Sequence, residues 1–217
     1  ILISIFSSTS SIYGYRNNFV PFKETDKSDY QISLYSSTKK SVESLLHNYS
    51  YNFGIPVSIL RFFTVYGPWG RPDMALFKFI KSIISEEVID VYNKGELWRD
   101  FTYIDDLIEA ISRLINIIPD KSNRLENDSL SDVCPFRIVN IGNKKAINII
   151  DFIKVLERLT NKRAKLNYLP MQRGDVLFTL ADTGLLKRLT GYAPETSIEK
   201  GSKKFYDWYV RYINDNF

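Results

Sequence analysis

Cysteine and histidine are almost missing: Cys134 and His47 are the single examples in 217 residues. One thiol cannot form an internal disulfide, so a reducing compartment, the cytoplasm, is expected. One Cys and one His also fall short of a metal site, and no metal is expected. No apolar run approaches the roughly 20 residues of a membrane span, and no signal peptide is visible. No membrane partner is therefore expected. Charge of one sign is not concentrated either. The 29 Lys and Arg against 25 Asp and Glu leave +4, spread along the chain, and no basic stripe interleaves with the Trp and Tyr residues. That argues against a nucleic-acid partner. Internal repeats and low-complexity tracts are lacking. The composition that remains, 44% hydrophobic and 25% charged, suits one good core, or one domain plus a smaller lobe.

Strand-like and helix-like segments alternate. Ile1–Phe6 is a short apolar run and reads as a buried parallel strand. A polar loop follows to about Tyr30. Val42, Leu45, Leu46, Tyr49 and Phe53 keep the helical period and predict a long helix over Leu34–Phe53, stopped by Gly54 and Pro56. Val57–Phe62 is the next strand. Gly67, Pro68, Gly70 and Pro72 make a rigid loop. Leu76–Ile84 is a second helix, Val88–Tyr92 a strand and Leu107–Ile118 a third helix. A polar excursion runs from Pro119 to Pro135. Phe136–Ile141 is a strand and Ile149–Leu159 a helix. Leu166–Leu169 is a short strand, Leu185–Leu189 a small helix, and a last helix starts near Ile198. The alternation predicts α/β architecture. His47 lies mid-helix without a second ligand and is expected at the surface. Asp105 and Asp106 are expected to cap the helix that begins there, rather than to bind metal.

The chemistry-bearing residues cluster early. Thr9 follows the first strand. Tyr35 and Lys39 stand four residues apart, which puts both on one helix face, one turn apart. A phenol with a reference pKa of about 10 is a poor base at neutral pH. A nearby cation stabilises the phenolate, and a hydroxyl can hold the same substrate oxygen. The trio is suited to taking a proton from a sugar or alcohol hydroxyl. A Tyr–Lys pair alone also arises by chance on solvated helix faces.

Six ordered segments narrow the choice: Phe6–Gly14, Leu34–Lys40, Leu60–Phe79, Asp90–Asp106, Asn140–Asn143 and Gln172–Val176. Together they resemble the NAD-dependent nucleotide-sugar epimerases of the extended short-chain dehydrogenase/reductase family. Within it, the likeness is greatest to the UDP-glucuronate 4-epimerases, on the GPWGRPDMALFKF block. The resemblance implies the C-terminal part of a Rossmann-like doubly wound parallel sheet plus a small α/β substrate-binding lobe. Residues 1–66 would carry the catalytic Thr, Tyr and Lys on the Rossmann-like domain. Residues 67–217 would form mainly the nucleotide-sugar lobe, with segments near 100–118 and 136–143 returning to the first domain. The family's G-x-x-G-x-x-G turn, which cradles the NAD pyrophosphate, has no counterpart here. The chain is therefore expected to be the C-terminal two-thirds of such an enzyme, inactive in isolation.

The resemblance also implies roles. Tyr35 is the base on the hydroxyl at sugar carbon 4, and hydride passes from that carbon to NAD. A planar 4-keto sugar turns over and takes the hydride back on its other face. Lys39 supports Tyr35 and the nicotinamide ribose, and Thr9 orients the sugar hydroxyl. The backbone near Phe62 meets the nicotinamide, and Thr64 faces the sugar. Arg71 suits a bidentate grip on the sugar carboxylate, the alternative being a surface arginine. Arg99 holds the diphosphate, Phe77 and Tyr92 border the uracil, and Asp175 takes the uridine ribose. Sugar dehydratases of the superfamily place Asp–Glu after the catalytic Thr, and the related decarboxylases place Glu at the second of those positions. Here stand Ser10 and Ser11, which favours epimerisation. Two other readings stay open: an inactive, UDP-sugar-binding remnant, and a 4-epimerase of UDP-N-acetylhexosamine or its uronic acid. The resemblance further implies a homodimeric parent that uses Val42, Leu45 or Leu46, and Tyr49.

Overall fold

The structure, a computed structural model, describes residues 3–16 and 18–216. Its elements in chain order are β1 (Ser4–Thr9), α1 (Leu34–Phe53), β2 (Val57–Phe62), β3 (Thr64–Tyr66), α2 (Ala75–Ile84), β4 (Val88–Tyr92), β5 (Trp98–Tyr103) and α3 (Ile104–Leu114). There follow β6 (Phe136–Ile141), β7 (Ala146–Asn148), α4 (Ile149–Thr160), β8 (Lys165–Leu169), α5 (Gly184–Thr190) and α6 (Ile198–Asn216). The architecture is α/β, as the alternation predicts.

Three strands form an all-parallel sheet in the order β1-β2-β6. β2 is buried along nearly its whole length, as expected of a strand with a neighbour on each side. Among the described residues β1 pairs only with β2. β3 pairs in parallel with β5, which pairs antiparallel with β7, and β4 pairs in parallel with β8. Two main apolar clusters fill the interior. One packs Leu60, Val139 and Ile141 of the first sheet against Leu107 and Leu114 of α3 and Leu185 of α5. The other joins α2, α4 and α6 around Ile80, Phe152 and Phe205.

β1 starts and ends three residues later than the apolar run suggests. Its ladder with β2 continues through Ser7, Ser8 and Thr9, so backbone pairing outlasts hydrophobicity. Ile1 and Leu2 lie outside the described residues. α3 instead runs earlier than expected, from Ile104 to Leu114, and Ile117 then closes a turn onto the Leu114 carbonyl just ahead of Pro119.

α1 has clear local causes. Ser33 and Ser36 form a capping box at its start, and Gly54 ends it in the left-handed region at φ 64°. Its buried residues are nevertheless polar: Ser36, Glu43 and Ser50. Much of its apolar side is left outside.

Candidate active site

The register of the first sheet brings Thr9, Phe62 and Ile141 to the same, carboxyl end of three parallel strands. Ligands of open α/β sheets bind at that end. A cleft of about 640 Å³ opens there. Thr9, Tyr35, Phe62, Thr64, Arg71 and Phe77 all line it, as do Ser10 and Ser11. Six of the ten residues picked from the sequence thus share one wall-to-wall space.

Thr9 closes β1 and caps the short 3-10 turn Ser10–Tyr13. Its Oγ1 accepts from the Ser11 amide and donates to the Ser11 hydroxyl, both at 3.2 Å. Tyr35 is 55% exposed, so its phenol is open to a ligand. Lys39, one turn along α1, is half-buried behind the cleft wall. Its Nζ donates to the Ser7 carbonyl at 2.8 Å and lies 4.9 Å over the Phe6 ring. The lysine is anchored to β1 two residues before Thr9, and that anchor ties helix to strand.

Arg71 stands at the mouth, strongly exposed. It is paired with Asp73, its Nε donating at 3.0 Å. That pairing holds the Arg71 guanidinium above its ordinary range, and the neighbouring Tyr35 adds to the effect. Arg71 and Tyr35 line the same cleft. Trp69 sits beside them in the Gly–Pro loop with φ at 62° and packs at a tilt against Trp208, ring centroids 5.3 Å apart.

Four of the ten, Lys39, Tyr92, Arg99 and Asp175, lie outside this lining. Arg99, on β5, donates to Asp175 at 2.6 Å and to the Trp98 carbonyl at 2.9 Å. Burial lowers the Arg99 pKa, and Asp175 opposes that shift. Tyr92 is half-buried at the end of β4. Arg173 is exposed.

Two expectations need correction. Asp106 is not a helix cap. It accepts from the amides of Glu195 and Thr196 and from the Thr196 hydroxyl, so it fastens a distant loop to α3. Asp105 pairs with Lys204 of α6. His47 is half-buried, not a surface residue. Its Nε2 is 3.2 Å from the Ser131 hydroxyl, and its ring packs edge-on against Phe136 at 5.0 Å.

The sequence reading also missed a buried polar layer beneath the cleft. Ser8, Glu43 and Arg61 join there, next to Tyr13, Glu24 and Asn140. Burial raises Glu24 from the usual carboxylate range to about 7, against the opposing Asn140 amide. It also pushes the Tyr13 phenol up to about 12. The available signal was Glu43 itself, a charge four residues beyond Lys39 on the same helix face.

The model of the NAD dependent epimerase/dehydratase family matches residues 4–125. The chain belongs to that family. A probable UDP-glucuronate 4-epimerase of Rhizobium meliloti is 47% identical over 207 residues, 94% of this chain and 60% of the relative. UDP-glucuronate 4-epimerase 4 of Arabidopsis thaliana is 41% identical over 97% of this chain and 48% of its own length. The chain thus spans about half to two-thirds of the curated relatives it matches. Among solved structures, UDP-glucuronic acid 4-epimerase from Bacillus cereus in complex with UDP-glucuronic acid and NAD superposes with a TM-score of 0.83. It is 35% identical and the match covers 96% of this chain and 61% of that one. The Rossmann-like expectation is met by that likeness.

Proposed function

We propose that this chain carries the catalytic centre and nucleotide-sugar lobe of an NAD-dependent 4-epimerase acting on UDP-glucuronate and UDP-galacturonate. The observation that carries the proposal is the shared cleft of Thr9, Tyr35, Thr64 and Arg71, with Lys39 anchored one turn behind Tyr35. The UDP-glucuronic acid and NAD bound in the Bacillus cereus neighbour support it. Ser10 and Ser11 support it too, because neither offers the carboxylate needed to eliminate water.

The residues present suit the nicotinamide end of NAD: a phenol, an ammonium on the same helix face and the strand end at Phe62. When bound, NAD supplies reversible hydride acceptance at carbon 4 of the sugar. Tyr35 takes the proton from the hydroxyl on that carbon. Lys39 stabilises the phenolate by its charge. Thr9 turns its hydroxyl from Ser11 to the sugar oxygen and orients it. Thr64 faces the flat keto sugar as it turns over. Arg71 exchanges Asp73 for the sugar carboxylate, a like-for-like bidentate partner. Arg99 moves from Asp175 to the diphosphate, which frees Asp175 for the uridine ribose. Phe77 and Tyr92 border the uracil.

The same reading divides the chain. Residues 1–66 go to the Rossmann-like domain, and 67–217 mainly to the sugar lobe, with about 100–118 and 136–143 packing back on the first. It gives the complete enzyme a cytoplasmic place and a homodimeric state. Leu45, Tyr49 and Phe53 support the dimer, since they form an exposed apolar stripe at spacings of four on α1.

The test is product identity. The complete protein, incubated with UDP-glucuronate and NAD, is expected to yield UDP-galacturonate. Carbon dioxide release, or no sugar product, would defeat the assignment.

A further inference from the structure

The stripe of α1 that bears Tyr35 and Lys39 continues to Glu43. Positions 35, 39 and 43 are spaced by four and share one helix face. Glu43 is buried and fully engaged. Ser8 Oγ donates to its Oε1 at 2.6 Å, and Arg61 donates to it through Nε at 3.1 Å and Nη2 at 2.8 Å. Arg61 is itself 1% exposed, on β2. Ser8 and Arg61 are register partners across β1 and β2. Ser8 also directly precedes Thr9.

Two adjacent residues of β1 are therefore gripped by two successive turns of α1. Lys39 holds the Ser7 carbonyl, and Glu43 holds the Ser8 hydroxyl. A buried ion pair is weak evidence for stability, because two well-packed apolar side chains often do as well or better. Such a pair does set direction, because a bidentate guanidinium–carboxylate contact tolerates little rotation.

We propose that Glu43, locked by Arg61, is a positioning residue for the reaction: it seats the Tyr35–Lys39 stripe on β1 and fixes where Thr9 meets the sugar. This rests on the reading of Thr9, Tyr35 and Lys39 given above. Glu43 is not itself part of the cleft lining and reaches it through Ser8, which lines the cleft beside Thr9. Loosening it leaves the nucleotide contacts intact and disturbs the reacting end alone. Small displacements there cost rate rather than binding.

The test uses the complete protein and three variants: Ser8→Ala, Ser8→Thr and Glu43→Gln. Ser8→Ala deletes one hydrogen bond and spares the Arg61 pair. It is expected to lower kcat about tenfold with KM for UDP-glucuronate nearly unchanged, at a near-native melting temperature. Glu43→Gln is expected to lose more kcat, and Ser8→Thr, which returns the hydroxyl, to regain most of it. Unchanged kcat in folded Ser8→Ala protein, or a loss shared equally with KM, would overturn the proposal. A readout independent of turnover accompanies it. In protein labelled at the tyrosine ring carbon bearing oxygen, the Tyr35 signal is identified by its loss in Tyr35→Phe. With α1 less firmly seated on β1, that signal is expected to move or broaden in Ser8→Ala relative to the wild type. If the wild type does not turn over UDP-glucuronate, the substrate assignment fails and this spectrum alone decides: coincident Tyr35 signals would overturn the positioning role.

Discussion

Arg71 and Asp73 show how much of the site is already satisfied before any substrate arrives. The pair is fully at the surface, where an ion pair contributes little to stability, so exchanging Asp73 for a sugar carboxylate costs little. Arg71→Ala is expected to raise KM for UDP-glucuronate about tenfold and leave neutral UDP-hexoses nearly untouched, because only the uronate has a carboxylate to lose. Equal effects on both substrates, in parallel steady-state assays, would remove Arg71 from the sugar site. Tyr35→Phe is expected to cut epimerisation by about 10²–10⁴-fold while calorimetry finds UDP binding unchanged, as the proposed proton-transfer role of the phenol requires. Glu24 makes a different statement. Its folded-state pKa, about 7, is above the ordinary 4.5, so the folded state holds the proton more tightly. Stability is therefore expected to fall as pH rises from about 4.5 through about 7, and to level off above that. Asp100, pushed to about 6 by burial, acts in the same direction. Urea melts of Glu24→Gln are expected to show a shallower pH slope and a gain of about 1–3 kcal/mol at pH 8. An unchanged slope would contradict the assignment.

Among the elements, those with a strong local pattern were legible in the sequence. Leu34–Phe53, Val57–Phe62, Val88–Tyr92 and Phe136–Ile141 have the bounds that periodicity and breakers predict. β3 and β7 were not legible, because three residues give no period and their pairing with β5 is a tertiary event. β5 itself reads Trp–Arg–Asp–Phe–Thr–Tyr, and its charges hide a strand whose Asp100 accepts the amides of Asn143, Lys144 and Ala181. That Thr9, Tyr35 and Arg71 share one cleft, with Lys39 one turn along α1, was legible from spacing and resemblance. The Glu43–Arg61–Ser8 clamp was not, because its partners come from three separate elements. The excursion of residues 119–135 shows the same limit. It reads as a polar surface loop, yet the Asp128 side chain is fully buried in a bidentate contact with Arg137 of β6. Asp128→Ala leaves the Arg137 charge buried and unpaired, and is expected to destabilise the fold by about 3–5 kcal/mol in chemical denaturation. A loss near zero would mean that the excursion is held by other contacts.

For the whole molecule, α1 has the most to explain. It buries Ser36, Glu43 and Ser50 against the sheet and presents Leu45, Tyr49 and Phe53 outward, the reverse of an ordinary amphipathic helix. An exposed apolar stripe on a helix that also starts at the active site suits a symmetric helix–helix contact between two copies. Light scattering of the complete protein is expected to give a dimer at micromolar concentration, and Leu45→Glu with Tyr49→Glu is expected to give a monomer. A wild-type monomer would contradict this. The larger question is whether carbon 4 of a UDP-uronic acid is oxidised and reduced within one cleft. The most direct measurement starts from UDP-glucuronate deuterated at carbon 4 and follows the label by NMR in the product. The account predicts UDP-galacturonate with deuterium still on carbon 4, because the same hydride returns to the opposite face. Deuterium moved to another carbon or lost to water would contradict it.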